Sequence, residues 1–263
     1  MVSKKILKNK IKQAFPFLTP AYRFLKYGVR IMRWVPTYDE DDLITNHLCD
    51  FLEDDRFIKS LATTEKEGHL QLGYVVRWRL YTACWAADHA KNLDGDFVEC
   101  GVAYGATSRM IMEYIGFKNI SKKFYLLDTY EGLDERYLSQ DERLRLVEYK
   151  KTGSYPYTSA MYPFVKKAFG SFPNVTIVKG AVPETLGQVK SEKIAYLHID
   201  MNCTVPEIAA AEYFWPKMVK GAVMLLDDYG FAREQHDAFD KFAKERSIGI
   251  LSLPTGQGLM IKP

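Results

Sequence analysis

Cysteine is scarce in this chain of 263 residues: Cys49, Cys84, Cys100 and Cys203 are its only four, and no two stand in a C-x-x-C pair. That spacing argues against a disulfide framework and a zinc knuckle, and makes a reducing, cytoplasmic setting the expectation. No uninterrupted apolar run reaches the roughly 18 residues that read as a membrane span. Met1 to Lys12 is basic, but no apolar run follows before Pro16 and Pro20, so the segment does not read as a secretory leader. Internal repeats and low-complexity tracts are missing too. With 47% apolar and 26% charged residues, global disorder, collagen-like and coiled-coil readings are excluded. The length fits one large α/β domain or two small ones.

Acidic residues are absent from positions 1–38, which hold nine basic side chains (Lys4, Lys5, Lys8, Lys10, Lys12, Arg23, Lys26, Arg30 and Arg33). The formal net charge of +3 therefore hides a body, residues 39–263, that carries −6. A general nucleic-acid binder more often spreads positive charge over its folded face, so no nucleic-acid partner is expected. Residues 1–38 read as a basic arm in which Ile6, Leu7, Ile11, Phe15, Phe17 and Trp34 interleave with the cations. Such a segment suits peripheral contact with the cytoplasmic face of a membrane, or docking onto a second subunit of a homo-oligomer. Both readings stay open.

The acidic cluster Asp39-Glu40-Asp41-Asp42 closes the arm and reads as a helix N-terminus. Residues 39–94 read as entry helices: Leu43, His47, Leu48, Phe51 and Leu52 fall at helical spacing, Gly68 breaks the stretch, and a second helix covers about 73–92. From residue 95 to 263 short apolar strands alternate with helices. Strands are expected at 96–100, 124–127, 175–178, 194–199 and 222–226, with helices near 105–115, 205–218 and 234–246. A C-terminal pair near 249–253 and 258–262 flanks the turn Pro254-Thr255-Gly256-Gln257-Gly258. This is the pattern of an α/β, doubly wound, mostly parallel seven-stranded sheet with an antiparallel hairpin at one edge.

Ligands in such sheets bind at the carboxyl ends of the strands. The first strand ends Glu99-Cys100-Gly101-Val102-Ala103-Tyr104-Gly105-Ala106-Thr107-Ser108. Gly101 permits a sharp turn, Gly105 a close backbone approach, and Thr107 and Ser108 stand where free helix N–H groups attract anions. The third glycine of a dinucleotide fingerprint is lacking, which points away from a pyrophosphate and towards a smaller anion such as a carboxylate. The second strand ends in Asp128, followed by Thr129 and Tyr130; a carboxylate there has two oxygens for the two hydroxyls of a ribose. Turn and acid together indicate a nucleoside-containing cofactor.

The fourth strand ends in Asp200 and the fifth in Asp227-Asp228. Three carboxylates at the mouth of a sheet repel one another unless a cation or a proton neutralises them. All-oxygen ligation suits a hard ion, Mg²⁺ first, with Ca²⁺ or Mn²⁺ as alternatives. The competing reading makes one or two of these residues helix caps, with Asn202 or Thr204 capping the next helix. His198, two residues before Asp200, reads as a packed neighbour.

In strand order, loop lengths and motifs the chain resembles class I S-adenosylmethionine-dependent methyltransferases. That resemblance implies that Glu99, Gly101, Ala103, Gly105 and Ser108 hold the methionine portion, that Asp128 holds the ribose, and that Thr129, Tyr130 and the turn at Ala181 line the adenosine. Over about residues 70–263 the segments FVECGVAYGATS, YLLDTYEGL, VTIVKGAVPETL, AYLHIDMN and MLLDDYG are together similar to the macrocin O-methyltransferase family of Mg²⁺-dependent sugar methylating enzymes. This implies Asp200, Asp227 and Asp228 as metal ligands, Asp200 as the catalytic residue, and a glycan or small-molecule acceptor. The family's D-x-D-x-Y pattern is interrupted here by Asn202, Cys203 and Thr204, which leaves the acceptor open. Residues 134–172 read as a lid-like insertion with Tyr137, Tyr149, Tyr155, Tyr157 and Tyr162, suited either to stacking on a sugar or phenolic ring or to packing on the sheet. A catechol-type O-methyltransferase, a non-catalytic nucleoside-binding domain and a nicotinamide oxidoreductase are the competing readings; the missing glycine disfavours the last.

Overall fold

The computed structural model describes residues 36–71, 76–152 and 157–263. Almost all of the basic arm, and Tyr155 of the insertion, therefore lie outside the described residues. The chain divides into two compact units at Cys49/Asp50.

In the first unit, Tyr38–Glu40 (β1) and Leu43–Thr45 (β2) form an antiparallel hairpin. The expected helix through Leu43 and His47 is not formed. Asp41 and Asp42 have φ of 53° and 60°, the left-handed pair a two-residue hairpin turn demands and one that Asp tolerates. The helical spacing of Leu43 and His47 is overridden by this turn and by the β-branched Ile44 and Thr45 that follow it.

In the second unit, helix begins only at the 3-10 turn Asp50–Leu52 and at Asp55–Lys66 (α1). Asp54 is the N-cap of α1, its Oδ1 accepting the Phe57 N–H at 2.9 Å. Arg77–Ala90 (α2) follows, and then the alternating body: Asp96–Cys100 (β3), Ala106–Tyr114 (α3), Phe124–Asp128 (β4), Gln140–Thr152 (α4), Met161–Phe169 (α5), Val175–Lys179 (β5), Ile194–Ile199 (β6), Thr204–Phe214 (α6), Met218–Leu226 (β7), Arg233–Glu245 (α7), Leu251–Ser252 (β8) and Gly258–Ile261 (β9). β7 starts at Met218 rather than near 222, because Lys220-Gly221 interrupts the apolar run without ending the strand.

The sheet order is β5-β4-β3-β6-β7-β9-β8; the first five strands are parallel and the last two antiparallel. The expected doubly wound sheet with an antiparallel edge is thus present. All six residues of β6 are buried, as befits a central parallel strand covered on both faces. On one face Val98, Leu127, Leu197 and Met224 meet Phe214 of α6 and Phe239 and Phe242 of α7. On the other, Phe97 packs against Phe117, Phe124 and Tyr196 with ring centroids 5.3–5.7 Å apart. None of the described helices is long and apolar enough to cross a membrane.

The strand order reverses at β3, from which the chain winds outward to β4 and β5 and then crosses back to β6 on the other side, so a crevice opens at the carboxyl ends of these parallel strands. Gly101, Asp128 and Asp200 all stand at that crevice.

Candidate active site

Gly101 is held in the left-handed region at φ 89°, its N–H donating to Leu127 O at 2.8 Å. Its backbone lies so close to that of Asp200 that a Cβ would fall 1.7 Å from the Asp200 carbonyl oxygen. Only glycine allows the glycine turn to pass under the end of β6. Beside it, Asp128 Oδ2 accepts the N–H groups of Val102 and Ala103 at 2.6 and 2.8 Å, and Oδ1 accepts that of Tyr130 at 2.6 Å. The acid expected to take a ribose diol therefore also ties the end of β4 to the glycine turn.

A cavity opens here, lined by Gly101, Asp128, Thr129, Gly180, Ala181, Asp200, Tyr137 and Tyr157 among others. Five residues singled out for cofactor or metal (Gly101, Asp128, Thr129, Ala181 and Asp200) come together in it. Glu99, Ala103, Gly105, Ser108 and Tyr130 are not among its lining residues. Glu99 and Ser108 are buried under α3, where Ser108 Oγ donates to Glu99 Oε2. Tyr130 is buried against Tyr162, ring centroids 5.3 Å apart. The alternation of side chains along β3 accounts for Glu99: it points to the α2/α3 face, opposite its neighbours Val98 and Cys100.

The acids at the ends of β6 and β7 form one electrostatic unit. Burial, reinforced by the charge of Asp228, pushes the Asp200 carboxyl up to about 7. Burial and Asp228 likewise push Glu207, on α6, up to about 8. Asp228 is itself raised by burial, and its buried Oδ2 has no hydrogen-bond partner. Two side chains from distant parts of the chain answer this charge. Arg79 of α2 pairs closely with Asp227 Oδ2, lies 3.5 Å from Asp228 Oδ1, and donates to the Asp227 carbonyl at 3.1 Å. Gln257, in the turn before β9, donates to Asp227 Oδ1 at 2.8 Å.

Neither helix-cap expectation holds. The side chains of Asn202 and Thr204 do not cap α6; Glu142 of α4 does, accepting the Thr204 N–H and Oγ–H, both at 2.8 Å. Burial works against this carboxylate, yet bonds from Thr204 and Ser139 hold it below the usual range. The insertion is thus largely helical, comprising α4 and α5, and Glu142 fastens it to the strand end that carries Asp200.

A second cavity is lined by Asp228, Asn202, Gln235, Arg145, Tyr149 and Phe231 among others. Tyr149 and Phe231 are 49% and 55% exposed, large apolar surfaces open to a ligand. The two cavities share Leu133 in their walls, and Asp200 and Asp228 stand one in each.

An open sheet in this order, with a glycine turn after β3, an acid after β4 and a cavity at the switch point, defines a class I S-adenosylmethionine-dependent methyltransferase. The chain belongs to the macrocin O-methyltransferase family: the family profile described as Macrocin-O-methyltransferase (TylF) matches residues 69–250. It is an O-methyltransferase. No curated protein matches the chain. Among solved structures, that of the O-methyltransferase NovP aligns with a TM-score of 0.58 at 17% identity, over 70% of this chain and 79% of NovP. CalS11, a calicheamicin methyltransferase, aligns with a TM-score of 0.57 at 15% identity, over 79% of this chain and 93% of CalS11. At these identities the likeness establishes the fold.

Proposed function

We propose that this methyltransferase transfers the methyl group of S-adenosylmethionine to a hydroxyl of a sugar or glycan, assisted by Mg²⁺. The observation that carries the reading is the cluster of Asp200, Asp227 and Asp228 between two cavities, one suited to a nucleoside and the other aromatic-walled. The residues fit a divalent cation. Asp228 Oδ2 is buried without a partner, and ligand atoms of Asp200 and Asp227 lie within 4.8 Å of each other and of His198. Asp200, Asp227 and Asp228 would hold the ion, which, once bound, supplies Lewis acidity that lowers the pKa of an acceptor hydroxyl.

The protein's own residues do the rest. Asp128, Thr129 and the Gly180-Ala181 turn hold the nucleoside end of the cofactor, while Asp200 orients the acceptor oxygen towards the methyl group. Tyr149 and Phe231 cover the apolar face of a sugar ring, and the Arg79 guanidinium, 5.0 Å from the Phe231 ring centroid, backs that wall. Replacing Phe231 with Ala is expected to raise KM for the acceptor about tenfold, corresponding to ~1.4 kcal/mol, with the affinity for S-adenosylhomocysteine unchanged. Steady-state kinetics and calorimetry read the two separately.

The test of the reaction is a screen with methyl-labelled cofactor against nucleotide-sugars, lipid-linked glycans and catechols, with EDTA and with added Mg²⁺. Label is expected in a sugar product, lost with EDTA and restored by Mg²⁺. Turnover that survives chelation removes the metal from the reaction. Label in catechols alone replaces the sugar reading with a catechol-type enzyme.

A further inference from the structure

His198 is 1% exposed, and its Nε2 has no hydrogen-bond partner. That nitrogen faces the acid cluster, 3.6 Å from Asp227 Oδ1. His198, Asp200 and Asp227 each offer one ligand atom within 4.8 Å of the others. The other ring nitrogen, Nδ1, lies 2.9 Å from Glu99 Oε1. Glu99 in turn receives Ser108 Oγ–H, so its orientation is fixed from the α3 side.

This arrangement has a recognisable chemistry. A histidine that ligates a metal almost always donates its second ring N–H to a carboxylate or carbonyl, which sets the tautomer and leaves the other nitrogen's lone pair for the ion. Glu99 stands where that acceptor belongs, and as a carboxylate its Oε1 accepts the Nδ1–H. Arg79 and Gln257 supply donors to Asp227, but none reaches the His198 nitrogen, and a lone pair buried beside carboxylates is costly unless a cation fills the gap. Arg79 pairs closely with Asp227 Oδ2 and lies 3.5 Å from Asp228 Oδ1, while Asp228 Oδ2 stays without a partner.

We infer that His198 is a nitrogen ligand of the divalent-cation site through Nε2, joining Asp200 and Asp227, with Glu99 as the positioning residue behind it. The inference rests on the cation reading above and changes its chemistry. A mixed imidazole–carboxylate set accepts borderline ions such as Fe²⁺, Co²⁺ or Zn²⁺ more readily than an all-oxygen set does, and still takes Mn²⁺. The competing arrangement has a protonated Glu99 donating to Nδ1 and Nε2–H directed at Asp227, with no role in ligation.

The probe is Mn²⁺ added to the full-length, metal-stripped protein without cofactor or acceptor. Binding is measured by the loss of the free-ion EPR signal, and ligation by electron spin-echo envelope modulation. One bound Mn²⁺ is expected, with ¹⁴N modulation typical of a coordinated imidazole that changes to the ¹⁵N pattern when histidine is ¹⁵N-labelled. In His198→Gln the nitrogen signal is expected to vanish and the Mn²⁺ dissociation constant to rise at least tenfold. Bound Mn²⁺ with no nitrogen modulation in the unsubstituted protein overturns the assignment of His198 and leaves the cation reading standing. No bound Mn²⁺ at all overturns both.

Discussion

Asp200→Asn is expected to reduce methyl transfer at least about a thousandfold, the scale on which loss of a central electrostatic group acts, while making the metal-free protein more stable at pH 8. The second half follows from the buried carboxyl, raised to about 7 mainly by burial and then by Asp228. Its folded-state pKa lies above the unfolded value near 3.8. The stability it contributes is therefore complete below about pH 4 and is lost as pH rises through 7. An asparagine carries no such penalty. Thermal unfolding of the two proteins is expected to coincide near pH 4 and to separate by several degrees at pH 8 in favour of the variant. Added Mg²⁺ is expected to raise the melting temperature of the unsubstituted protein and to leave Asp200→Asn nearly unmoved. A variant less stable at pH 8 without metal would show that Asp200 serves the fold rather than the chemistry.

Gly101→Ala is the second large effect, and it runs the other way. A methyl group there meets Asp200 O at 1.7 Å and Asp200 C at 2.4 Å, both backbone atoms that no rotamer change can move. The residue also sits at φ 89°, where an L side chain is strained on its own account. Relief requires the ends of β3 and β6 to part. The expected outcome is destabilisation by about 3 kcal/mol or more, together with loss of measurable S-adenosylhomocysteine binding. Denaturant unfolding and calorimetry test the two halves. Gly249→Ala, where an added Cβ meets nothing within 4 Å, is the matched control and should change neither.

Much of this was legible in the sequence because it is local. The segments 96–100 and 194–199 are strands to the residue, since short, mostly apolar runs bounded by turns leave little else. Asp200 and the Asp227-Asp228 pair were placeable because adjacent parallel strands bring their ends together. What escaped is what the chain supplies from afar. Arg79 meets Asp227 across 148 residues, Glu142 meets Thr204 across 62, and Gln257 meets Asp227 across 30. A lone Arg in a helix carries no signal of its eventual partner. Asp128 shows a different limit: a strand-end acid looks the same whether it awaits a ribose or also holds the backbone of the glycine turn. The hairpin at 38–45 was hidden by residues whose spacing is compatible with both periods.

Gln257 has a practical consequence for how the enzyme is handled. It is 1% exposed, it fixes the orientation of Asp227, and it lies seven residues past the end of the family match at residue 250. Trimming the protein to the matched span would remove the edge strands β8 and β9 and also strip the acid cluster of one of its anchors. A shortened protein of that kind could retain its nucleoside cleft and still read as inactive, so its silence would say nothing about the acceptor offered to it. Acceptor searches therefore call for the C-terminus intact, and affinity tags are better placed away from it.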